Sequence, residues 1–291
     1  MKAKKSLGQN FLKSELALKK IIETGEIKPN DVILEIGPGK GALTRKLLAT
    51  SCQLIAVEKD YNLYELLKNK FKEEISSGQL KLVNEDILDF DLSYHLQATS
   101  YKLIANIPYN ITGAILKKFL TEKNQPSLMV LMVQNEVAKR IVARDGKESI
   151  LSISVKAYGE PKMIMKVPAR YFSPAPKVDS AIIAIKNISR KNFNSPLEEY
   201  PEVLPQGEVD EFKNISTPSR KRATPREGNN FEERFWEIVK TGFAHKRKKL
   251  SSNLRNLSSL KQEPFLLNST QDLGNKRAED LTFAEWISLA K

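Results

Sequence analysis

The stretch Val32-Ile33-Leu34-Glu35-Ile36-Gly37-Pro38-Gly39-Lys40-Gly41-Ala42 decides the fold. It opens on a short run of the kind that forms a buried strand and turns through three glycines. It then enters Ala42–Ala49, where apolar residues recur at helical spacing. Strand, glycine turn and helix in that order are the start of a βα unit. Glycines at the turn let the backbone approach a ligand without a Cβ in the way. Working outward, Gln53–Glu58, Leu80–Asn84, Tyr101–Ala105 and Ser127–Val133 also read as strands, with helical patterns at Tyr61–Ile75 and Thr112–Leu120 between them. Nearly all-apolar strands alternating with helices predict a mainly parallel sheet covered on both faces, a doubly wound α/β fold. Ser152–Tyr158, Lys162–Val167 and Ser180–Lys186 read as further strands without long helices between them, which predicts an antiparallel edge.

The pattern changes after residue 187. Pro196, Pro201, Pro205, Pro218 and Pro225 interrupt a polar stretch, so residues 188–230 are expected to be a flexible insertion or linker. Residues 231–291 return to helical periodicity, with apolar stripes at Phe235, Ile238 and Val239 and at Leu250, Leu254 and Leu257. A small α-helical C-terminal domain is expected there, following the α/β domain over residues 1–187.

Charge separates the same regions. The chain carries a formal +12, yet Lys213 to Lys261 alone holds thirteen Lys or Arg against four Glu, a net +9. A basic surplus concentrated in one late segment suits a polyanionic partner, because each phosphate neutralised releases counterions. The single cysteine, Cys52, and two distant histidines, His95 and His245, allow no disulfide framework and argue against a zinc site, so no metal is expected. The longest apolar run, Leu128 to Val133, is too short to span a bilayer. No apolar stretch follows Lys2, Lys4 and Lys5, so a cytoplasmic protein without a membrane partner is expected.

Several positions could carry chemistry. The Glu35–Gly41 loop points to a nucleotide-like cofactor and also fits a loose dinucleotide fingerprint. Pro38 removes one N–H that a pyrophosphate would use, which leans away from a dinucleotide. Glu58 ends the second strand 21 positions after Gly37, where a carboxylate can accept both ribose hydroxyls of an adenosine moiety; alone, followed by Lys59, it would read as a solvated acid. Asp86, in Asn84-Glu85-Asp86-Ile87, can accept from an adenine amine, with Glu85 an equal candidate. Asn106-Ile107-Pro108-Tyr109 follows the fourth strand. To methylate a base amine, an enzyme must draw the nitrogen lone pair out of conjugation. The Asn106 side-chain oxygen and the Ile107 carbonyl can accept its two N–H groups, Pro108 stiffens the turn, and Tyr109 offers a face on which an extruded adenine can stack.

With these blocks in view, the chain resembles the ribosomal RNA adenine dimethyltransferases. The resemblance rests on Leu7-Gly8-Gln9-Asn10-Phe11-Leu12, the Glu35–Gly41 loop, Asn106–Tyr109, Phe172-Ser-Pro-Ala-Pro-Lys177-Val178-Asp179-Ser180 and Phe243-Ala-His-Lys246-Arg247-Lys248-Lys249. These span nearly the whole chain in the family's order. The resemblance implies a Rossmann-like methyltransferase sheet and S-adenosyl-L-methionine as cofactor. It also implies sequential transfer to N6,N6-dimethyladenosine in ribosomal RNA, without metal or covalent intermediate.

By position, Gln9, Asn10, Leu12, Glu35, Gly37, Gly39, Gly41, Glu58, Lys59, Asp86, Ile87 and Asn106 are implied around the cofactor. Tyr109 and Phe172 are implied as the pair that sandwiches the target adenine, and Lys246, Arg247, Lys248 and Lys249 as a basic helix on the RNA. One subfamily dimethylates two adjacent adenines near the 3′ end of small-subunit rRNA; another modifies a large-subunit adenine and confers antibiotic resistance. The Pro174–Ser180 and Phe243–Lys249 stretches resemble the first, whereas Ile107 is more frequent in the second. The long 188–230 stretch departs from both. The expectation is a monomer acting on a small-subunit precursor. Two rivals from other classes are an NAD-dependent oxidoreductase, which leaves Asn106–Tyr109 unexplained, and a non-catalytic assembly factor on the same fold.

Overall fold

A computed structural model of the 291-residue chain describes residues 4, 7–95, 100–193, 227–255 and 274–291. They form two compact units, one comprising Met1–Ser189 with Ala278–Phe283 and the other Arg190–Arg277 with Ala284–Lys291. Among the described residues no helix is long and apolar enough to cross a membrane.

The first unit is built on a seven-stranded sheet. Its strands are β2 (Val32–Ile36), β3 (Gln53–Val57), β4 (Leu80–Val83), β5 (Lys102–Asn106), β6 (Leu128–Gln134), β7 (Glu160–Val167) and β9 (Ser180–Lys186). They lie in the order β4-β3-β2-β5-β6-β9-β7. The first five are parallel, and β9 joins β6 and β7 antiparallel, as the sequence pattern led one to expect. Ile33, Ile104, Val130 and Ile182 join a core cluster with Ala17, Ile21 and Leu47 from the helices on that face. The alternate residues Leu34, Leu103, Leu131 and Ile183 are also 0 % exposed, so both faces are covered.

Strand order reverses between β2 and β5. The chain winds one way through β3 and β4 and the other way through β6, so the loops leaving β2 and β5 diverge and open a crevice at the strands' C-terminal ends. Gly37 and Asn106 stand at that switch point. A separate two-stranded ribbon pairs β1 (Phe11–Leu12) with β8 (Phe172–Ser173), Phe11 opposite Ser173 and Leu12 opposite Phe172. It brings together two of the motif blocks that lie far apart in sequence.

The structure departs from the sequence reading at several elements. Ser152–Tyr158, read as a strand and opening on the alternation Ser-Ile-Ser-Val, lies for the most part in a helix, α8 (Ile150–Lys156). Ser149 starts it: its Oγ accepts from Ser152 N–H, and Ser152 Oγ accepts from Ser149 N–H at 2.7 Å, a reciprocal cap that outweighs the β-like alternation. The single helix expected over Tyr61–Ile75 breaks at Phe71, whose φ of −115° and ψ of 36° separate α3 (Tyr61–Lys70) from α4 (Lys72–Ser76). Phe71 is 2 % exposed, and burying its ring overrides helical continuity there.

The second unit contains α9 (Glu227–Gly242), α10 (Leu250–Leu254) and most of α11 (Phe283–Ala290). Phe235, Ile238, Val239, Leu250 and Leu254 are all buried. Phe243 stacks on Trp286 with centroids 5.5 Å apart, and Gly242 packs so tightly that a Cβ would lie 2.5 Å from the Trp286 ring. Of the stretch expected to be linker, residues 190–193 and 227–230 belong instead to this unit. Phe193 is buried against Phe235, and α9 already begins at Glu227. The remainder of that expected loop, 194–226, and Leu257 lie outside the described residues.

Lys246, Arg247, Lys248 and Lys249 do not sit on a helix. They form the exposed turn between α9 and α10. The Asn253 side chain shapes that turn, its Nδ2 donating to the carbonyls of Gly242 (2.6 Å) and His245 (3.1 Å).

Candidate active site

A cavity of about 460 Å³ opens at the switch point, a size that suits a cofactor. Its walls come from the β2 and β5 loops, from the ends of β3 and β4, and from an N-terminal segment, Leu7 to Lys13, laid across it. Of the residues expected around the cofactor, Gln9, Asn10, Leu12, Glu35, Gly37, Gly39, Glu58, Lys59, Asp86, Ile87 and Asn106 all line this space. Ile107, Pro108 and Tyr109 line it too.

Glu58 leaves β3 with its carboxylate almost fully buried. Its Oε2 accepts from Gly39 N–H (3.0 Å) and its Oε1 from Asp60 N–H (2.9 Å). Burial pushes its pKa up, and these two N–H donors pull the other way. The hydrogen bond from Gly39 locks the glycine turn onto β3. Each carboxylate oxygen keeps a second lone pair free for a hydroxyl donor.

Asp86 sits across the mouth in an ion pair with Lys59. The hydrogen bond from Lys59 holds its carboxyl below the usual carboxylate range.

Glu35 is the most perturbed group in the site. It is 1 % exposed, and burial pushes its pKa up to about 8, with the Glu58 carboxylate acting in the same direction. Its Oε2 and the Thr44 hydroxyl make no hydrogen bond of ordinary geometry, although Thr44 lies close enough to oppose the shift. Burying a carboxyl oxygen without a partner costs free energy, and that cost falls most heavily on the charged form. S-adenosyl-L-methionine carries an ammonium, a sulfonium and two ribose hydroxyls. A wall containing Glu58, Glu85 and Asp86 suits those groups in charge and in donor–acceptor sense.

Asn106 closes β5. Its Nδ2 donates to the Asn10 carbonyl (3.3 Å), which orients the amide and leaves Oδ1 as the acceptor. Pro108, with φ −60° and ψ 130°, leads into a single 3-10 turn, Tyr109–Ile111. Tyr109 Oη is 2.5 Å from Ser180 Oγ, and burial pushes its phenol above the usual value.

Three expected site residues behave differently. Phe172 does not meet Tyr109 in the cavity; it is 4 % exposed and packs in the core with Leu12 and Leu18, because the β1–β8 ribbon turns it inward. Gly41 lies outside the lining. At φ +74° it caps α2 (Ala42–Leu48), and a Cβ there would lie 2.5 Å from the Phe71 ring, so its smallness serves helix packing. Gln9 lines the cavity, but both ends of its amide are committed to protein: Nε2 donates to Asp60 Oδ2 (2.9 Å) and Oε1 accepts from Lys4 N–H (2.8 Å).

Asp60 itself went unnoticed in the sequence. It is 3 % exposed, caps α3 through Asn62 N–H, and takes Lys4 Nζ at 2.9 Å, fastening the N-terminal segment to the β3 loop. An Asp directly before a helix is the signal of a cap, and that signal was available. Phe11 is the second aromatic residue on the wall beside Tyr109, with Lys40 Nζ 4.8 Å from its ring centre.

Comparison with known proteins agrees with this geometry. The family described as Ribosomal RNA adenine dimethylase matches residues 1–218. The ribosomal RNA small subunit methyltransferase A of Dehalococcoides mccartyi (strain CBDB1) is 38% identical over 99% of this chain and 88% of its own length. That of Fusobacterium nucleatum is 37% identical over 100% and 97%. Among solved structures, a dimethyladenosine transferase from Plasmodium falciparum superposes with a TM-score of 0.71 at 23% identity, covering 96% of this chain and 95% of that one. The 23S rRNA methyltransferase ErmE does so with 0.67 at 23% identity, over 97% and 98%. These two structures share the fold. The sequence matches fix the kinship, and the chain belongs to the ribosomal RNA adenine dimethylase family.

Proposed function

We propose that the chain uses S-adenosyl-L-methionine to dimethylate the exocyclic amines of two adjacent adenosines near the 3′ end of small-subunit ribosomal RNA. It would act as a monomer on a small-subunit precursor. The two sequence relatives above support the small-subunit choice, both being small subunit methyltransferases A. The observation that carries the chemistry is that Asn106 lines the cavity with its Nδ2 donating to the Asn10 carbonyl, which leaves Oδ1 as the acceptor.

When bound, the cofactor supplies an electrophilic methyl on a sulfonium, and the chain supplies position. Glu58 holds the ribose hydroxyls through its free lone pairs, Asp86 receives the adenine amine once Lys59 yields, and Ile87 packs on that ring. Glu35 backs the glycine turn behind the cofactor. Asn106 Oδ1 and the Ile107 carbonyl accept the two N–H groups of the target amine, drawing its lone pair out of conjugation and toward the methyl. Tyr109 supports the extruded base by stacking. The amine becomes acidic only after transfer, so its proton leaves to water and no general base is required. Holding both partners in line replaces a bimolecular encounter with an oriented one. The basic turn Lys246–Lys249 contacts RNA phosphates.

Single-turnover methylation at saturating cofactor tests the role of Asn106. Asn106→Ala is expected to lower that rate by roughly 10²–10³, the loss found when one preorganised polar group is removed from a reacting centre. A folded Asn106→Ala protein that transfers methyl at the wild-type rate removes the residue from the mechanism.

A further inference from the structure

Tyr109 can support a base only if its ring is held at a fixed angle, and its own loop does little to hold it. The residue begins a three-residue 3-10 turn, and Phe172, the aromatic expected to oppose it, is in the core. What fixes the ring lies at the start of β9, beside the C-terminal end of β6. Ser180 is 0 % exposed, and its Oγ stands 2.5 Å from Tyr109 Oη. We infer that Ser180 is a positioning residue for methyl transfer, pinning the Tyr109 ring at the stacking angle through this hydroxyl pair. The inference rests on the proposed stacking role of Tyr109.

Ser180 is itself fixed from three sides. As the first residue of β9 it pairs with Gln134 at the end of β6 and with Val167 at the end of β7. Its neighbour Asp179 accepts from Ala169 N–H through Oδ1 (2.9 Å), meets Lys166 Nζ through Oδ2 (2.8 Å), and accepts from Asn135 N–H through its carbonyl (2.9 Å). The hydroxyl therefore sits on a rigid strand end, whereas the tyrosine sits on a loop, and the strand end sets the geometry of the pair. A fully buried hydroxyl needs a partner, and a half-buried phenol left without one is penalised; both are satisfied only when the ring is in this orientation. The cofactor contacts, at Glu58 and Asp86, come from other strands, so the pair bears on the target base and not on cofactor binding.

The test is single-turnover methylation of unmethylated small subunits with saturating cofactor, alongside calorimetric cofactor binding. Ser180→Ala and Tyr109→Phe each remove one half of the same hydrogen bond. Each is expected to slow transfer about three- to tenfold, the range of one net hydrogen bond expressed as a rate. The double variant is expected to be no slower than the worse single variant, cofactor affinity should not move, and Ser180→Thr should recover most of the rate. Tyr109→Phe leaves β9 untouched, so it carries the test alone if Ser180→Ala does not fold. Additive losses in the double variant, or a wild-type rate for Tyr109→Phe where Tyr109→Ala is strongly impaired, would overturn the inference. A wild-type rate for Tyr109→Ala would instead remove the stacking role on which it rests.

Discussion

Replacing Glu35 by Gln should make the sheet unit more resistant to alkaline destabilisation. Glu35 is 1 % exposed, its Oε2 makes no hydrogen bond of ordinary geometry, and its pKa in the folded chain is about 8 against 4.5 for the free side chain. A carboxyl whose folded pKa is raised favours the native state only while it stays protonated. Its contribution is fully present below pH 4.5 and is lost as pH rises through 8. Between those limits the native state holds one more proton than the unfolded chain, so stability falls by about 1.4 kcal/mol per pH unit. From pH 6 to 8 the wild type therefore loses about 2 kcal/mol through this residue, which for a unit of this size is roughly 4–8 °C in Tm. Glutamine keeps the shape and cannot ionise. Its spare N–H₂ adds a cost that is the same at every pH and drops out of the comparison. Scanning calorimetry of both proteins at pH 6, 7 and 8 gives the Tm difference, in which other titrating groups cancel. The difference is expected to move in favour of Glu35→Gln by that amount as pH rises. A difference that stays constant over the range refutes the buried, uncompensated carboxyl.

Two further outcomes follow from corrections the structure makes. Gly41→Ala places a Cβ 2.5 Å from the Phe71 ring at a φ of +74° and should cost roughly 2–5 kcal/mol of stability, visible as a lower Tm, while cofactor affinity in the folded protein stays unchanged; a selective loss of affinity would return Gly41 to the cofactor site. Changing Lys246, Arg247, Lys248 and Lys249 together to Ala should weaken RNA binding. It should also flatten the slope of log affinity against log salt by up to roughly 0.7–0.9 per lost phosphate contact; an unaltered slope speaks against an RNA role for the turn.

Most of the sheet was legible because its strands are apolar throughout, a pattern that only burial on both faces explains, and because Glu35–Gly41 marks the first crossover. The cavity residues were legible where a motif stands at a strand end: Gly37, Glu58, Asp86 and Asn106 each close or follow a strand, and parallel topology brings those ends together. Two of the failures share a cause, which is that the deciding partner is distant in sequence. Gly41 reads as a ligand glycine until Phe71 is seen against it. Phe172, which the family resemblance sets against the target adenine, is turned inward by its pairing with Leu12. Ser152 and Ile153 alternate like a strand, and the local cap at Ser149, weak as a sequence signal beside that alternation, wins. The basic run at 246–249 has helical neighbours on both sides, but the bonds from Asn253 to Gly242 and His245 hold the chain in a turn there.

The central claim is adenine dimethylation of small-subunit RNA. It is tested most directly by incubating the protein with labelled S-adenosyl-L-methionine and unmethylated small and large ribosomal subunits, then mapping the label. The account predicts label on the small subunit alone, as N6,N6-dimethyladenosine at two adjacent adenosines near the 3′ end of its RNA. Label confined to the large subunit would contradict the substrate assignment. No label on either particle, from folded protein that binds the cofactor, would contradict the claim itself.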